Sequence, residues 1–214
     1  MSEGKMDQPP KGEFDTETLK GIVQKYGFNP RFLEVGTVGN WNQILNSVNR
    51  EVIPFLDRKD VDPFILGKVI NLLLRANIDN IDNLRNSLTI DQEKFQQAGG
   101  DPAQILRATI YALSFPQGID LNNERFSFSI EPKIINRLLE IFPNLFPSSY
   151  GSLNAEQLKQ VLANLGFKEN SNLGREGGLG GYSLNLDQEG VKTMLRGILA
   201  THSSNPTSRS SVTS

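Results

Sequence analysis

Apolar residues recur three and four positions apart along most of this chain, the spacing that places them on one face of an α-helix. Leu19, Ile22, Val23 and Tyr26 form the first such stripe, behind Asp15 as N-cap and Glu17 in the first turn. Trp41, Ile44, Leu45 and Val48 form the second, which Pro54 ends or kinks. Asp62-Pro63 is a start signal for a third, in which Phe64, Ile65, Val69, Ile70, Leu72, Leu73 and Leu74 are apolar on nearly all sides. That helix is expected at the centre of the core. NIDNIDNLRNSL reads as one helix with Ile81, Leu84 and Leu88 inward, too short to be a stacked repeat. Asp101-Pro102 opens a helix carrying Ile105, Leu106, Ile110 and Leu113, closed by Pro116, and Glu131-Pro132 opens another that Pro143 ends. Asn154 and Gln157 have the spacing of a capping box ahead of Leu158, Val161, Leu162 and Leu165, and the last helix follows Asp187 with Val191, Met194, Leu195, Ile198 and Leu199.

Two stretches break the period. RFSFSI, residues 125–130, alternates apolar and polar and is the one strand-like run. SNLGREGGLGGYSLN, residues 171–185, carries five glycines between Gly174 and Gly181. It lacks the lysine and hydroxyl residue that a phosphate-binding loop needs, and the strand and spacing of a dinucleotide fingerprint. It therefore reads as a hinge joining two helices. The polar ends, 1–14 and 202–214, are expected to be disordered arms. The expected architecture is all-α: a compact, bundle-like helical core over 15–169, a Gly-rich hinge over 170–186, a C-terminal helix over 187–201 and at most one short hairpin.

Composition narrows the chemistry. The chain has 214 residues, 37% of them hydrophobic, a net charge of −2 and no cysteine. Thiol catalysis, disulfides, zinc–thiolate sites and iron–sulfur clusters are thereby excluded. The only histidine, His202, falls in the expected tail, away from any partner for nucleophilic catalysis. Residues 120–131 place Asp120, Asn122, Glu124 and Glu131 at calcium-loop positions, but Arg125 stands where the loop requires glycine, so a turn into a strand is expected. The reading is non-enzymatic, with no catalytic residues, cofactor, metal or small-molecule substrate. The first residues lack a signal-peptide apolar region, and the aliphatic runs are too short and charged to span a bilayer, so no membrane insertion and a cytoplasmic location are expected.

What remains is a set of basic residues, Lys68, Arg75, Arg107, Arg125, Lys133 and Arg137, three of them close in sequence to Phe126, Phe128 and Phe142. Cations interleaved with aromatics hold phosphates and stack bases, and equally serve as solvated helix faces. KYGFNP (25–30) with Trp41 downstream, IINRLLEIFPNLFP (134–147) and SLNAEQLKQVLANLGF (152–167) resemble segments of the nucleocapsid proteins of phleboviruses and tenuiviruses. The resemblance implies a viral structural protein, a helical coat that self-assembles as a homo-oligomer in the virion. It would hold single-stranded RNA with Arg107 and Arg137 facing one groove and use its arms to reach neighbouring copies. The other reading is an all-α interaction or scaffold protein with no nucleic-acid role.

Overall fold

The computed structural model describes residues 13–34, 39–87, 89–116, 118–120, 122–146 and 152–200. Ten α-helices and three strands are found among them. The N-terminal layer is α1 (Thr16–Lys25), α2 (Arg31–Glu34) and α3 (Gly39–Ser47), with α3 running on through a π-helical turn, Val48–Val52. That turn closes on a bond from the Ile53 amide to the Val48 carbonyl, immediately before Pro54, which has no N–H to continue the ladder. Next come α4 (Asp62–Ala76), α5 (Ile81–Ser87), α6 (Gln92–Gln97), α7 (Pro102–Ser114) and β1 (Arg125–Ile130). The chain then runs through α8 (Pro132–Leu145), α9 (Ala155–Asn164), β2 (Lys168–Glu176), β3 (Leu179–Asp187) and α10 (Gln188–Ala200).

α4 and α7 cross at the centre, and both bury most of their circumference. The crossing is close because Gly67 of α4 lies on the α7 backbone. A Cβ there would stand 2.7 Å from the carbonyl carbon of Ala108 and 2.8 Å from the amide nitrogen of Thr109. Asp101 caps α7 by accepting from the Ala103 amide at 2.9 Å. The helix after Asp62-Pro63 starts as expected, but with Val61 as N-cap; the Asp62 carboxylate lies instead against the Tyr26 hydroxyl. Burial, with the nearby Asp62 charge, raises the Tyr26 hydroxyl to about 12.

The expected all-α class is wrong. The fold is mixed, because 168–187 forms a hairpin that joins β1 in an antiparallel sheet of order β1-β3-β2. β1 runs from Arg125 opposite Asp187 to Ile130 opposite Tyr182, burying Phe126, Phe128 and Ile130. The glycine segment is consequently no hinge. Gly177 (φ 59°) and Gly178 (φ 80°) are the two residues between β2 and β3, and consecutive positive φ values are what a type I′ hairpin turn demands. Asn136 of α8 donates to the Glu176 carbonyl and holds the hairpin tip on the helix.

The expected boundaries change with it. One hydrophobic cluster reaches from Phe14 to Ile198, so the last helix belongs to the same core as the rest. Phe14, assigned to the arm, is 5% exposed, and its amide and carbonyl both bond the Asn49 side chain. Residues 1–12 of that arm and the expected tail, 202–214, lie outside the described residues, as does Leu88. α8 continues two residues past Pro143, to Leu145, rather than ending there.

Gly67→Ala is expected to destabilise by about 1–3 kcal/mol, the usual cost of overpacking, despite alanine's better helix propensity. Urea unfolding monitored by circular dichroism measures it as a lower midpoint at unchanged slope.

Candidate functional site

Of the six candidate cations, three fasten helices together. Arg75 donates from Nε to Asn71 Oδ1 at 2.9 Å and from its terminal nitrogen to the Leu113 carbonyl, capping the end of α7 from α4. Lys133 Nζ is 2.7 Å from Asp79, and that bond, with the lysine's charge, holds the Asp79 carboxyl below the usual carboxylate range. One turn along α8, Arg137 donates to the Ile78 carbonyl at 3.1 Å and to Glu140 at 2.9 Å, and Arg85 of α5 reaches the same Glu140 at 3.6 Å. Lys133 and Arg137 thus clamp α8 onto the turn between α4 and α5. Arg125 is exposed at the start of β1. Arg107 faces α9 and α10, so the structure does not bring it together with Arg137 on one groove.

Lys68 is buried. Its Nζ is 3.7 Å from Glu51 Oε2, and the two side chains are 4% and 5% exposed. Glu51 Oε1 accepts from the Ile119 amide at 2.7 Å, so one carboxylate ties the end of the first helical layer to α4 and to the loop behind α7. Lys68 Nζ also stands 5.8 Å from the centre of the Tyr111 ring. Burial pushes the Glu51 carboxyl up and the Lys68 ammonium down, each opposed by the attraction of the other. The Tyr111 hydroxyl is raised far above its ordinary value by burial and by the Glu51 charge. A polar cleft of about 910 Å³ opens above the pair, rimmed by Gln43, Asn46, Arg50, Asp120 and Asn122. Nζ, Oε2 and the Tyr111 hydroxyl have no hydrogen-bond partner, but less than 1 Å² of each is exposed, so they lie beneath the cleft floor. At 3.7 Å the two charges attract each other without a hydrogen bond, and both residues border the cleft with these atoms covered.

The second concavity is different in kind. Val161, Leu165, Leu186 and Met194 line a groove of about 520 Å³ between α9, the end of β3 and α10, with Arg107 of α7 at its side. All four apolar side chains are partly exposed. The groove exists because α10 turns small residues towards it, Gly190 and Gly197, two helical turns apart. A Cβ at Gly197 would meet nothing within 4 Å. Arg107 Nε is buried there without a hydrogen-bond partner. Burial weakens the hold on its charge, and the carboxylate of Asp101 restores part of it.

Among the described residues no cluster of three or more histidine or acidic side chains is arranged to hold a metal, and no helix is long and apolar enough to cross a membrane. The chain matches no protein-family model, no curated protein and no solved structure. Neither Glu51 nor Tyr111 stood out in the sequence, since only the fold brings them to Lys68. The groove had one legible trace, two glycines seven apart inside an otherwise well-patterned helix.

Removing one partner of the buried pair strands the other. Lys68→Met is expected to cost about 3–5 kcal/mol, and Glu51→Gln/Lys68→Met to recover most of that, because the glutamine still accepts from Ile119. The pH dependence has a definite sign. In Lys68→Met the Glu51 carboxyl, already raised, loses its cation, so the protein is least destabilised below the usual carboxylate range and loses stability as pH rises through the elevated value. Glu51→Gln is expected to behave in the opposite way, gaining stability as pH rises toward the ordinary lysine range. Thermal denaturation of the three variants between pH 4 and pH 10 measures both slopes.

Proposed function

We propose that this chain is a non-enzymatic interaction protein whose working face is the groove between α9 and α10. The observation that carries the reading is a row of partly exposed apolar side chains, Val161, Leu165, Leu186 and Met194, around an open space at Gly197. Contiguous exposed apolar surface costs free energy in water until something covers it, which is why it marks binding faces. The buried position of Lys68 and Glu51 beneath their cleft supports a structural role for that pair, in keeping with the absence of catalysis from this reading.

The coat reading, with single-stranded RNA and further copies of the chain as partners, draws less support. Lys68 is buried, and Arg75, Lys133 and Arg137, although partly exposed, are held by bonds to neighbouring elements, so moving them to phosphates would cost contacts that join α4, α7 and α8. Counterion release, the main source of such affinity, needs cations on the surface.

Gly197→Leu tests the groove. The substitution places a side chain into open space and removes a helical glycine, so stability is expected to rise by about 0.5–1 kcal/mol. The fluorescence enhancement of the neutral apolar dye Nile red by the wild-type protein is expected to be lost in the variant; unchanged enhancement sinks this reading. A single-stranded RNA oligonucleotide titrated at low salt is expected not to bind. Saturable binding that weakens as salt is raised would return the coat reading.

A further inference from the structure

Resting on the groove reading, we infer that the groove binds a monomeric amphiphile with one apolar chain and an anionic head, the head on Arg107 and the chain along Val161, Leu165, Leu186 and Met194. A guanidinium stays protonated at any physiological pH, so a half-buried one beside apolar side chains still favours an anionic acceptor. Arg107 lines the groove with its Nε covered, so a ligand meets the guanidinium at its terminal nitrogens, and among the described residues the opposing charge acting on the group is that of Asp101, whose Oδ1 also accepts from the Ala103 amide. A carboxylate or sulfate arriving from the groove presents two or three oxygens to the fork of the guanidinium, the geometry it matches best.

The rest of the lining selects the group that the head carries. No acidic side chain is among the described residues lining the groove, and its remaining polar groups are Asn164 and Thr193, both exposed at the rim. An apolar chain therefore covers four aliphatic or thioether side chains without burying an unpaired polar atom. The volume, about 520 Å³, lies within the range of small-ligand sites, roughly 300–1,000 Å³. Gly190 and Gly197 bound a stretch of α10 about 10 Å long at the usual rise per residue, the scale of one short chain. A ligand of this shape uses both features of the groove at once, its apolar floor and its single cation.

The probes are decanoate, decanol and decylamine, each below its micelle concentration, titrated by calorimetry into the full chain and into Arg107→Met and Gly197→Leu. Decanoate is expected to bind with one-to-one stoichiometry and at least about tenfold more tightly than decylamine, the scale of one charge-assisted bond. Arg107→Met is expected to remove that preference while leaving decanol unchanged. Gly197→Leu is expected to abolish binding of all three while raising the melting temperature, which separates a filled groove from a misfolded protein. Equal affinity for decanoate and decylamine, or no binding of decanoate, overturns the inference; if Nile red still depends on Gly197, the groove reading survives its failure. Decanoate binding that Gly197→Leu does not disturb places the site elsewhere and overturns it too. Vesicles of phosphatidylcholine with phosphatidylglycerol are expected not to retain the protein, and retention that Arg107→Met abolishes would assign the groove to membrane lipid instead of a free ligand.

Discussion

Everything in this fold is arranged around the contact between the backbones of α4 and α7 at Gly67. Two helices normally stand 8–10 Å apart, held off by the side chains between them. With no Cβ at Gly67, α4 settles against Ala108 and Thr109, and the flanking residues Phe64, Val69, Ile105 and Tyr111 pack around the crossing. Phe64 and Tyr111 meet edge to face at 5.8 Å, and the Tyr111 and Phe115 rings carry the packing on to Phe128 of the sheet. Dispersion and apolar burial reward that closeness, and they also fix how the elements around it are placed.

The polar contacts hold the periphery to this centre. Arg75 bonds the C-terminal end of α7 from α4, and Glu51 joins the first layer to α4 and to the loop at Ile119. Lys133 and Arg137 pin α8 to the α4–α5 turn. Side chains that sequence alone offers as a binding surface are in this way absorbed as fasteners. A cation's role is set by what stands opposite it, and the partners here are 54 and 59 residues away for Lys133 and Arg137. The same placement leaves Arg107 with an apolar groove for a neighbour, which gives that residue, unlike the other helical cations of the candidate set, an outward chemical demand.

The strands show why part of the fold escaped a periodicity argument. β1 alternates cleanly, because one face of RFSFSI is buried on the core and the other is in water, and it was legible. β2, an edge strand, exposes almost every residue of KENSNLGRE, and residues 171–174 have no counterpart in its pairing with β3. A strand with no buried face has no apolar alternation to show. In β3 the alternation of Tyr182, Leu184 and Leu186 is present, but four glycines just before it drew attention to flexibility. Their use is the reverse. Gly177 and Gly178 fix a tight turn, and Gly181 lets Leu173 cross the central strand, where a Cβ would stand 2.5 Å from it.

The sequence by itself determined eight of the ten helices among the described residues, missing the short α2 and α6, since caps such as Asp15, Asp101 and the Asn154–Gln157 box act within one turn, and a 3.6-residue stripe needs no knowledge of what it faces. It determined the central place of α4, whose apolar residues leave no face for water, and the absence of thiol chemistry. Only the tertiary structure decided that β1 pairs with a strand more than 50 residues on, that Glu51 and Lys68 share one buried site, and that four of the six candidate cations are paired with groups on other elements. It also decided that the missing side chains of Gly190 and Gly197 leave a groove beside Arg107. These are pairings of distant residues, and their energies depend on burial and distance, quantities that a chain acquires only when its elements pack.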